Sequence, residues 1–582
     1  MTDPQNGRAP GSVLLALLAT ILALGGGYVA DLVRTDFGTV SVRDVTRLAP
    51  DGARQSSTVY LPAGATAEAP APGVLAIHGY LNDRETQSPY AIELARRGYV
   101  VLALDQRGHG DAAPPAFGAG FGGPDGLDWL RSLPMVDPDR IVLSGHSMGG
   151  WAALIAADAR PDDYASIVIS GSSTGTFGAP EGTADAPRNL GLIYARYDEF
   201  SDLMWGAPSG ATAPATEKMR TLFGTDDPVV PGVLYGDLEE GTARWLAQPE
   251  QTHPMNHVTP SGVAPVIEWV QRTVPAPNPL PSDDQLWHLK EIGTGMGLLG
   301  FFLMLIAAGG LWLRAPAFAP LRARPAEAGG ASGLGWWAGA AVLAVVPIVT
   351  YLPLQNAASD WLPVGPWFPQ EITNGVAFWA VANAAIAFVL FLLWFLVAGR
   401  RAGFAGVGLR GGALRSLGLA AATVGSAYLL LALTRLAFGT DFRAWVVAVR
   451  PLDADRLVAA AAVLPFFVAF FLVLGLVLHG QLRSAGSDDD RGATVMNGVL
   501  LGAGFAGFLA WQYVPLFAGR PLPFGEPLLT IVAIQFLVLL PVAGLLSTVL
   551  FRATGRIWPG AFANGTWIAL YVAMSQATHL AA

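Results

Sequence analysis

The hexapeptide Gly145-His146-Ser147-Met148-Gly149-Gly150 is the stretch of this chain best suited to covalent chemistry. A serine sits with glycine two residues before it and two after it. The β-branched run Ile141-Val142-Leu143 precedes the motif, and a helix-forming stretch from Trp151 to Ala159 follows it. A sharp strand-to-helix turn with serine at its tip needs small residues at those two positions, because larger side chains would strike the neighbouring backbone. The turn presents the hydroxyl at a helix N-terminus, whose dipole favours the negative charge that develops on an attacked carbonyl. Ser147 is therefore read as a nucleophile that forms an acyl-enzyme.

Such a nucleophile needs two donors for the oxyanion, a base and an acid. His78-Gly79-Tyr80 directly follows the apolar run Gly73-Val74-Leu75-Ala76-Ile77, where the first donor loop of this kind of site is expected. The two predicted donors are the backbone N–H groups of Tyr80 and Met148. His78 is assigned to ordering the loop. The segment Asp105-Gln106-Arg107-Gly108-His109-Gly110 ends another apolar run and reads as a loop tie: Asp105 and Arg107 hold neighbouring loops, and the glycines permit a sharp turn. His109 precedes the nucleophile and so falls outside the order nucleophile, acid, base.

At these residues the chain resembles the α/β-hydrolase superfamily. It carries His78-Gly79-Tyr80-Leu81-Asn82-Asp83-Arg84-Glu85, then Asp105 to Gly110, then Gly145 to Gly150. More narrowly it is similar to the dienelactone-hydrolase-like serine esterases and to bacterial forms of them fused to membrane spans. The resemblance covers about residues 40 to 273. It implies a mainly parallel sheet with helices on both faces, a Ser–His–Asp triad and no cofactor or metal. It says nothing about the C-terminal half.

Two acids compete. Asp227 lies in Gly224-Thr225-Asp226-Asp227-Pro228-Val229-Val230-Pro231, which resembles a common acid loop, and its spacing to the histidines suits the role. The run before it, Glu217 to Thr221, is a poor central strand. Asp198 follows Leu192-Ile193-Tyr194-Ala195-Arg196-Tyr197, a better strand in the right topological place, and the resemblance to the fused forms also points to it. Asp198 is preferred. His253, His257 and His288 follow the acid. His288 abuts an apolar segment and is read as interfacial. In Thr252-His253-Pro254-Met255-Asn256-His257, His253 lies nearer the strand around Ala243 to Ala247, and the fused forms use the first histidine. It is preferred over His257, with Thr259 or Ser261 capping the helix that follows.

The elements that hold these residues fall into three zones. Residues 1–30 read as a transmembrane anchor: an apolar run from Val13 to Ala30 follows Arg8, and the bulky Tyr28 makes a poor signal-cleavage site. Residues 31–286 alternate short β-branched runs with amphipathic stretches, opening with a hairpin from Thr39 to Arg47 and Gln55 to Leu61; this is the pattern of an α/β fold. Residues 287–582 read as an all-α polytopic domain with spans near 292–313, 334–354, 375–398, 416–437, 456–478, 494–514, 527–550 and 558–579, each able to cross a hydrocarbon core of about 30 Å. The segment from Asp202 to Pro231, rich in Gly, Ala and Pro, is read as a mobile lid.

Arginine sets the orientation. Loops after alternate spans carry Arg314, Arg322 and Arg324, then Arg400, Arg401, Arg410 and Arg415, then Arg483 and Arg491, then Arg552 and Arg556. The opposite loops carry fewer, with the loop from Phe438 to Asp455 a partial exception because of Arg443 and Arg450. The bias places the hydrolase domain on the extracytoplasmic side. Trp361, Trp367, Trp445 and Trp511 are read as interfacial belts.

The chain has 582 residues, 52% of them hydrophobic and only 14% charged, with mean hydropathy +0.43, a balance that belongs partly in lipid. The absence of cysteine excludes disulfides and thiolate chemistry, and the net charge of -9 argues against a nucleic-acid surface. Partners are expected to be the lipid bilayer and a small-molecule or lipid ester. The expected function is a membrane-embedded serine hydrolase acting on an ester-type substrate, carboxylic ester or thioester. An acyltransferase or peptidase using the same triad, or a transporter or sensor with a hydrolase-like ligand domain, are the alternatives. The spans are notably free of charge, with Arg435 near an outer end and no acidic or His cluster at mid-depth, which speaks for anchoring over ion transport.

Overall fold

A computed structural model describes residues 9–81, 83–400, 406–484 and 491–580. Arg8, Asn82 and Arg401, used above, lie outside the described residues. An N-terminal helix α1 (Ala9–Arg34) leads into the hairpin β1 (Val40–Leu48) and β2 (Arg54–Pro62). Then come β3 (Ala71–Ile77), α2 (Ser88–Arg96), β4 (Val100–Leu104), α3 (Gly123–Arg131), β5 (Val136–His146), α4 (Met148–Ala159), β6 (Ser166–Ser170) and β7 (Leu190–Ile193). Two short helices, α5 (Ser201–Trp205) and α6 (Glu217–Phe223), precede β8 (Leu234–Tyr235), β9 (Arg244–Ala247) and α7 (Pro260–Thr273).

These strands form one sheet in the order β1-β2-β4-β3-β5-β6-β7-β9-β8. The six from β4 to β9 are parallel, and β1, β2 and β8 join antiparallel at the edges. The central strands are apolar on both faces because both are covered. Leu75, Ile77, Leu102, Leu104, Leu143 and Ile167 point to the layer of α3 and α4. Val74, Ala76, Val101, Ala103, Val142 and Val168 point to α2 and α7. The shared direction of the six parallel strands places their C-terminal ends on the same edge, where the loops carrying Tyr80, Ser147, Asp198 and His253 emerge. The Asp202–Pro231 segment, expected as a mobile lid, is a packed wall: Met204, Trp205, Met219, Leu222 and Phe223 are buried in the α3–α4 layer.

The second half holds α8 (Trp287–Trp312), α9 (Gly333–Val349), α10 (Tyr351–Trp361), α11 (Glu371–Trp394) and α12 (Ala413–Phe438), then the small hairpin β10 (Phe442–Ala444) and β11 (Val447–Val449). It continues with α13 (Ala454–Leu476), α14 (Arg491–Phe517), α15 (Pro527–Thr554) and α16 (Trp558–Ser575). Among the described residues, seven helices are long and apolar enough to cross a membrane, or eight if α9 and α10 are one bent span. The expected span 334–354 is broken there by 51°. Pro353 lies four residues after Val349, where its ring opposes the last α9 carbonyl.

The expected span 558–579 also differs. Its helix, α16, is not among the seven, because its polar residues lower its hydropathy. They are satisfied inside the bundle: Asn564 donates to the Ala543 carbonyl at 2.9 Å, and Trp567 Nε1 donates to Asn564 Oδ1 at 2.9 Å. α16 packs mainly on α13, α12 and α15. In the same bundle α1 lies along α8, with Gly26 of one against Gly293 of the other so closely that a Cβ at either would strike the opposite backbone.

The two halves are tied by ion pairs, those of Asp83 buried and that of Asp44 with Arg435 partly exposed. Asp83, just after β3, accepts from Arg443 at 2.9 Å and also pairs with Arg450. Arg450 reaches Asp111 at 3.3 Å and donates to the Met574 carbonyl at 2.7 Å. Lys290 sits between Glu85 and Ser88, and Arg435 pairs with Asp44 at 3.3 Å. The C-terminal strand-like segment joins in: Thr578 N donates to Gly108 O at 2.8 Å and Thr578 O accepts from Ala116 N at 2.9 Å. Arg443 and Arg450 therefore serve the domain contact, which accounts for their place in an otherwise arginine-poor set of loops.

Candidate active site

Ser147 stands between the end of β5 and the start of α4 with φ 54° and ψ -123°, a left-handed conformation that costs a non-glycine residue about 1–3 kcal/mol. The turn is held by Ser147 N donating to Ser170 O at 2.8 Å and Gly150 N donating to Ser147 O at 2.8 Å. A Cβ on Gly145 would run into the Gly149 backbone, and one on Gly149 would run into the carbonyls of Ile77 and His78. The spacing of small residues in the sequence thus reflects two close backbone approaches, one within the turn and one to the β3 loop.

Asp198 and His253 meet. His253 Nδ1 lies 2.9 Å from Asp198 Oδ2, with the acid's side chain fully buried. They arrive together because the β7–β9 pairing continues beyond the strands: Arg196 N donates to Pro249 O, Tyr197 N donates to Gln251 O at 3.0 Å, and Tyr197 and Thr252 form a parallel bridge. Phe200 N donates to Asp198 Oδ1 at 2.9 Å and fixes the carboxylate plane. Burial alone would push the His253 imidazole down, but the Asp198 carboxylate outweighs it and holds the pKa above its ordinary value. With Nδ1–H given to Asp198, Nε2 is the acceptor left for the cavity that Ser147 and His253 both line.

The rivals are placed elsewhere. Asp227 is exposed in a surface turn after α6, outside any strand, and its N–H donates to Thr225 Oγ1 at 3.2 Å. His257 lines the cavity beside His146, but burial, His253 and Arg443 push its pKa to about 3. Thr259 caps α7 by accepting from Gly262 N at 3.2 Å.

The backbone N–H groups of Tyr80 and Met148 have no acceptor among the described residues, and both residues line the cavity. His109 Nε2 lies 2.7 Å from the Tyr80 carbonyl, so this buried histidine holds the Tyr80–Leu81 peptide, the one after the donor N–H. His78 Nε2 accepts from Gln106 N at 3.1 Å, and its Nδ1 lies 2.6 Å from Gly79 O. Asp105 accepts from Arg84 N at 2.8 Å and Asp111 N at 2.9 Å, and Arg107 pairs with Asp51 at 2.9 Å. The histidines and the charged loop residues therefore order the donor loops.

Sequence reasoning missed Glu199. Its Oε2 accepts from His253 N at 2.7 Å and its Oε1 accepts from Tyr513 OH at 2.7 Å. Burial pushes its pKa up to about 7, and the Asp198 charge adds to the shift. Adjacent carboxylates at 198 and 199 were the only local signal, because the partner Tyr513 lies 314 residues away on α14. The Glu199 charge also helps raise the His253 pKa. Glu199→Gln keeps the side chain's shape and one acceptor oxygen for His253 N, turns the other position into an NH₂ that can donate to Tyr513 OH, and removes that charge, so His253 should lose its proton at lower pH. A base must be neutral to act, and activity falls as pH drops through its pKa. The acid limb of the kcat/KM profile should therefore move to lower pH in this variant, as steady-state ester assays across pH 5–9 would check.

The cavity has a volume of about 490 Å³ and is bounded by both halves of the chain. Trp151, Phe177 and Met204 wall it on the hydrolase side, and Ile372, Val446 and Ile531 on the helical side. Trp445, expected in an interfacial belt, lines it too, with Nε1 donating to Pro254 O at 3.0 Å. Trp361, Trp367 and Trp511 are exposed.

The N-terminal half is similar to known proteins. A model of the alpha/beta hydrolase family matches residues 74–289. An uncharacterized protein of Mycobacterium tuberculosis is 30% identical over 213 residues, which cover 34% of this chain and 73% of that protein. The chain belongs to the alpha/beta hydrolase family. The sn-1-specific diacylglycerol lipase ABHD11 of Mus musculus is 30% identical over 139 residues, 22% of this chain and 45% of that one. The Pyrococcus furiosus esterase Pf2001 superposes with a TM-score of 0.29 at 17% identity, over 41% of this chain and 96% of that chain. As a family hydrolase, the protein has hydrolase relatives on its N-terminal half; residues beyond 289 lie outside the family match.

Proposed function

We propose that this protein is a membrane-embedded serine hydrolase that cleaves an ester-type substrate through an acyl-enzyme on Ser147. The observation that carries the reading is the buried Asp198–His253 pair, 2.9 Å apart, on the cavity that holds the strained Ser147. In this mechanism His253 Nε2 takes the Ser147 proton as Oγ attacks the carbonyl carbon. Asp198 holds the imidazole tautomer and stabilises the imidazolium. The free N–H groups of Tyr80 and Met148 receive the oxyanion, already oriented and needing no reorganisation. His253 then returns the proton to the leaving alcohol, and water activated by the same imidazole releases the acid.

The long apolar helices support multi-pass membrane insertion. The hydrolase domain packs on the ends joined by the arginine-poor loops, while Arg322, Arg483 and Arg556 hold loops together at the opposite end. That distribution favours an extracytoplasmic hydrolase domain.

The test is hydrolysis of 4-nitrophenyl butyrate by the full chain in detergent. Wild type should turn over the ester, and Ser147→Ala and His253→Ala should each lose at least ~10³-fold in kcat. Equal turnover by Ser147→Ala would contradict the proposal.

A further inference from the structure

The wall that the helical half gives to the reaction cavity has a definite chemistry. Ile372 lies in the first turn of α11, Leu528 and Ile531 lie in the first turns of α15, and Val446 lies at the tip of the β10–β11 hairpin. Ile372, Val446 and Ile531 are buried, so this apolar surface faces the cavity or the core and not solvent. Ile372, Leu528 and Ile531 sit at helix ends on the hydrolase side, and Val446 sits in the hairpin beside them. On the membrane reading this is the depth at which hydrocarbon gives way to head groups. The opposite wall, with Phe177 and Met204, is apolar as well.

Charge restricts what else fits. The cavity lining includes Glu371 and Glu526 and contains neither Lys nor Arg. Glu526 accepts from Asn356 at 3.0 Å, and the nearest cation-capable group to Glu371 is His579 at 3.9 Å, whose pKa burial pushes down. A phosphate or carboxylate head group would meet like charge without a counter-cation, whereas an uncharged or ammonium-bearing head would not.

We infer that the substrate is an ester amphiphile with a long aliphatic chain and an uncharged or cationic head, and that Ile372, Val446, Leu528 and Ile531 receive the chain. The inference rests on the proposed Ser147 esterase reading and adds its substrate class. It makes the helical half a part of the binding site as well as an anchor. Each methylene buried against this wall should raise affinity about fourfold until the wall is filled.

The experiment uses the full chain in lipid nanodiscs, with 4-nitrophenyl alkanoates of two to fourteen carbons for a chain on the acyl side and alkyl acetates for one on the alcohol side. In wild type, kcat/KM should rise with chain length in one of the two series. In Ile531→Trp the long-chain to short-chain ratio of kcat/KM should fall at least tenfold. Leu528→Trp, at a half-buried position that tolerates bulk, should lower it in the same direction if Ile531→Trp does not fold. Wild type should also cleave monolauroylglycerol at least tenfold faster than lauroyl lysophosphatidylglycerol. Unchanged ratios in both variants, or equal cleavage of the anionic lipid, would overturn the inference. Failure of wild type on every ester of any length would instead remove the esterase reading beneath it.

Discussion

Asp198→Asn should lower kcat by roughly 10³–10⁴-fold with little change in KM, while Asp227→Asn should leave both near wild type. The asymmetry follows from where the carboxylates lie. Asp198 is fully buried, receives His253 Nδ1–H at 2.9 Å and is held by Phe200 N. An amide there can offer its NH₂ group to Nδ1, which favours the wrong tautomer and leaves Nε2 protonated and unable to take the serine proton. Asp227 is exposed in a turn and reaches no histidine, so its charge is screened by solvent. The measurement is a pair of progress curves on one ester with matched enzyme concentrations, read as kcat and KM separately.

Asp83→Ala should be the most destabilising single change at the contact between the halves. Asp83 is 3% exposed and meets both Arg443 and Arg450. Its side chain also accepts from Glu85 N at 3.1 Å, which caps the short helical turn after it. Removing the carboxylate leaves two buried guanidinium groups short of negative charge, with Asp441 and Asp111 as their remaining partners. Deleting one member of a buried charge set costs about 3–5 kcal/mol, because the partners stay desolvated. By contrast Asp455→Ala, which breaks the exposed Arg54–Asp455 pair and leaves the Arg54 bond to the Asp111 carbonyl, should cost at most ~1 kcal/mol. Thermal unfolding followed by intrinsic tryptophan fluorescence suits the purpose, since the chain has 17 Trp and no Cys for thiol dyes. Equal midpoints for the two variants would contradict the ranking.

The parts of this architecture that are local in the chain were legible in the sequence. The elbow around Ser147 depends on neighbours two residues away, and the opening hairpin, the parallel strands and the Thr259 cap depend on short periodic patterns. The preference for Asp198 rested on the quality of the strand before it and on the resemblance to the fused forms, and the β7–β9 pairing explains why that strand brings Asp198 to His253. The parts that are distant in the chain were not legible. Glu199 becomes a site residue through Tyr513, and Asp83 meets Arg443 across 360 residues. Trp445 has the composition of a belt residue and only its packing shows it in the cavity. The α16 helix has enough apolar residues to suggest a span, but its Asn564 and Trp567 pair inside the bundle. The Asp202–Pro231 segment has the composition of a loop and is packed by a few large side chains that composition alone underweights.

The central claim is that Ser147 is the nucleophile of this hydrolase. Its most direct test is fluorophosphonate labelling of the full chain in detergent, with the modified peptide mapped by mass spectrometry. The account predicts a single phosphonyl adduct on Ser147 in wild type, none in Ser147→Ala, and much slower labelling in His253→Ala. An adduct on another residue, or labelling that persists in Ser147→Ala, would contradict it.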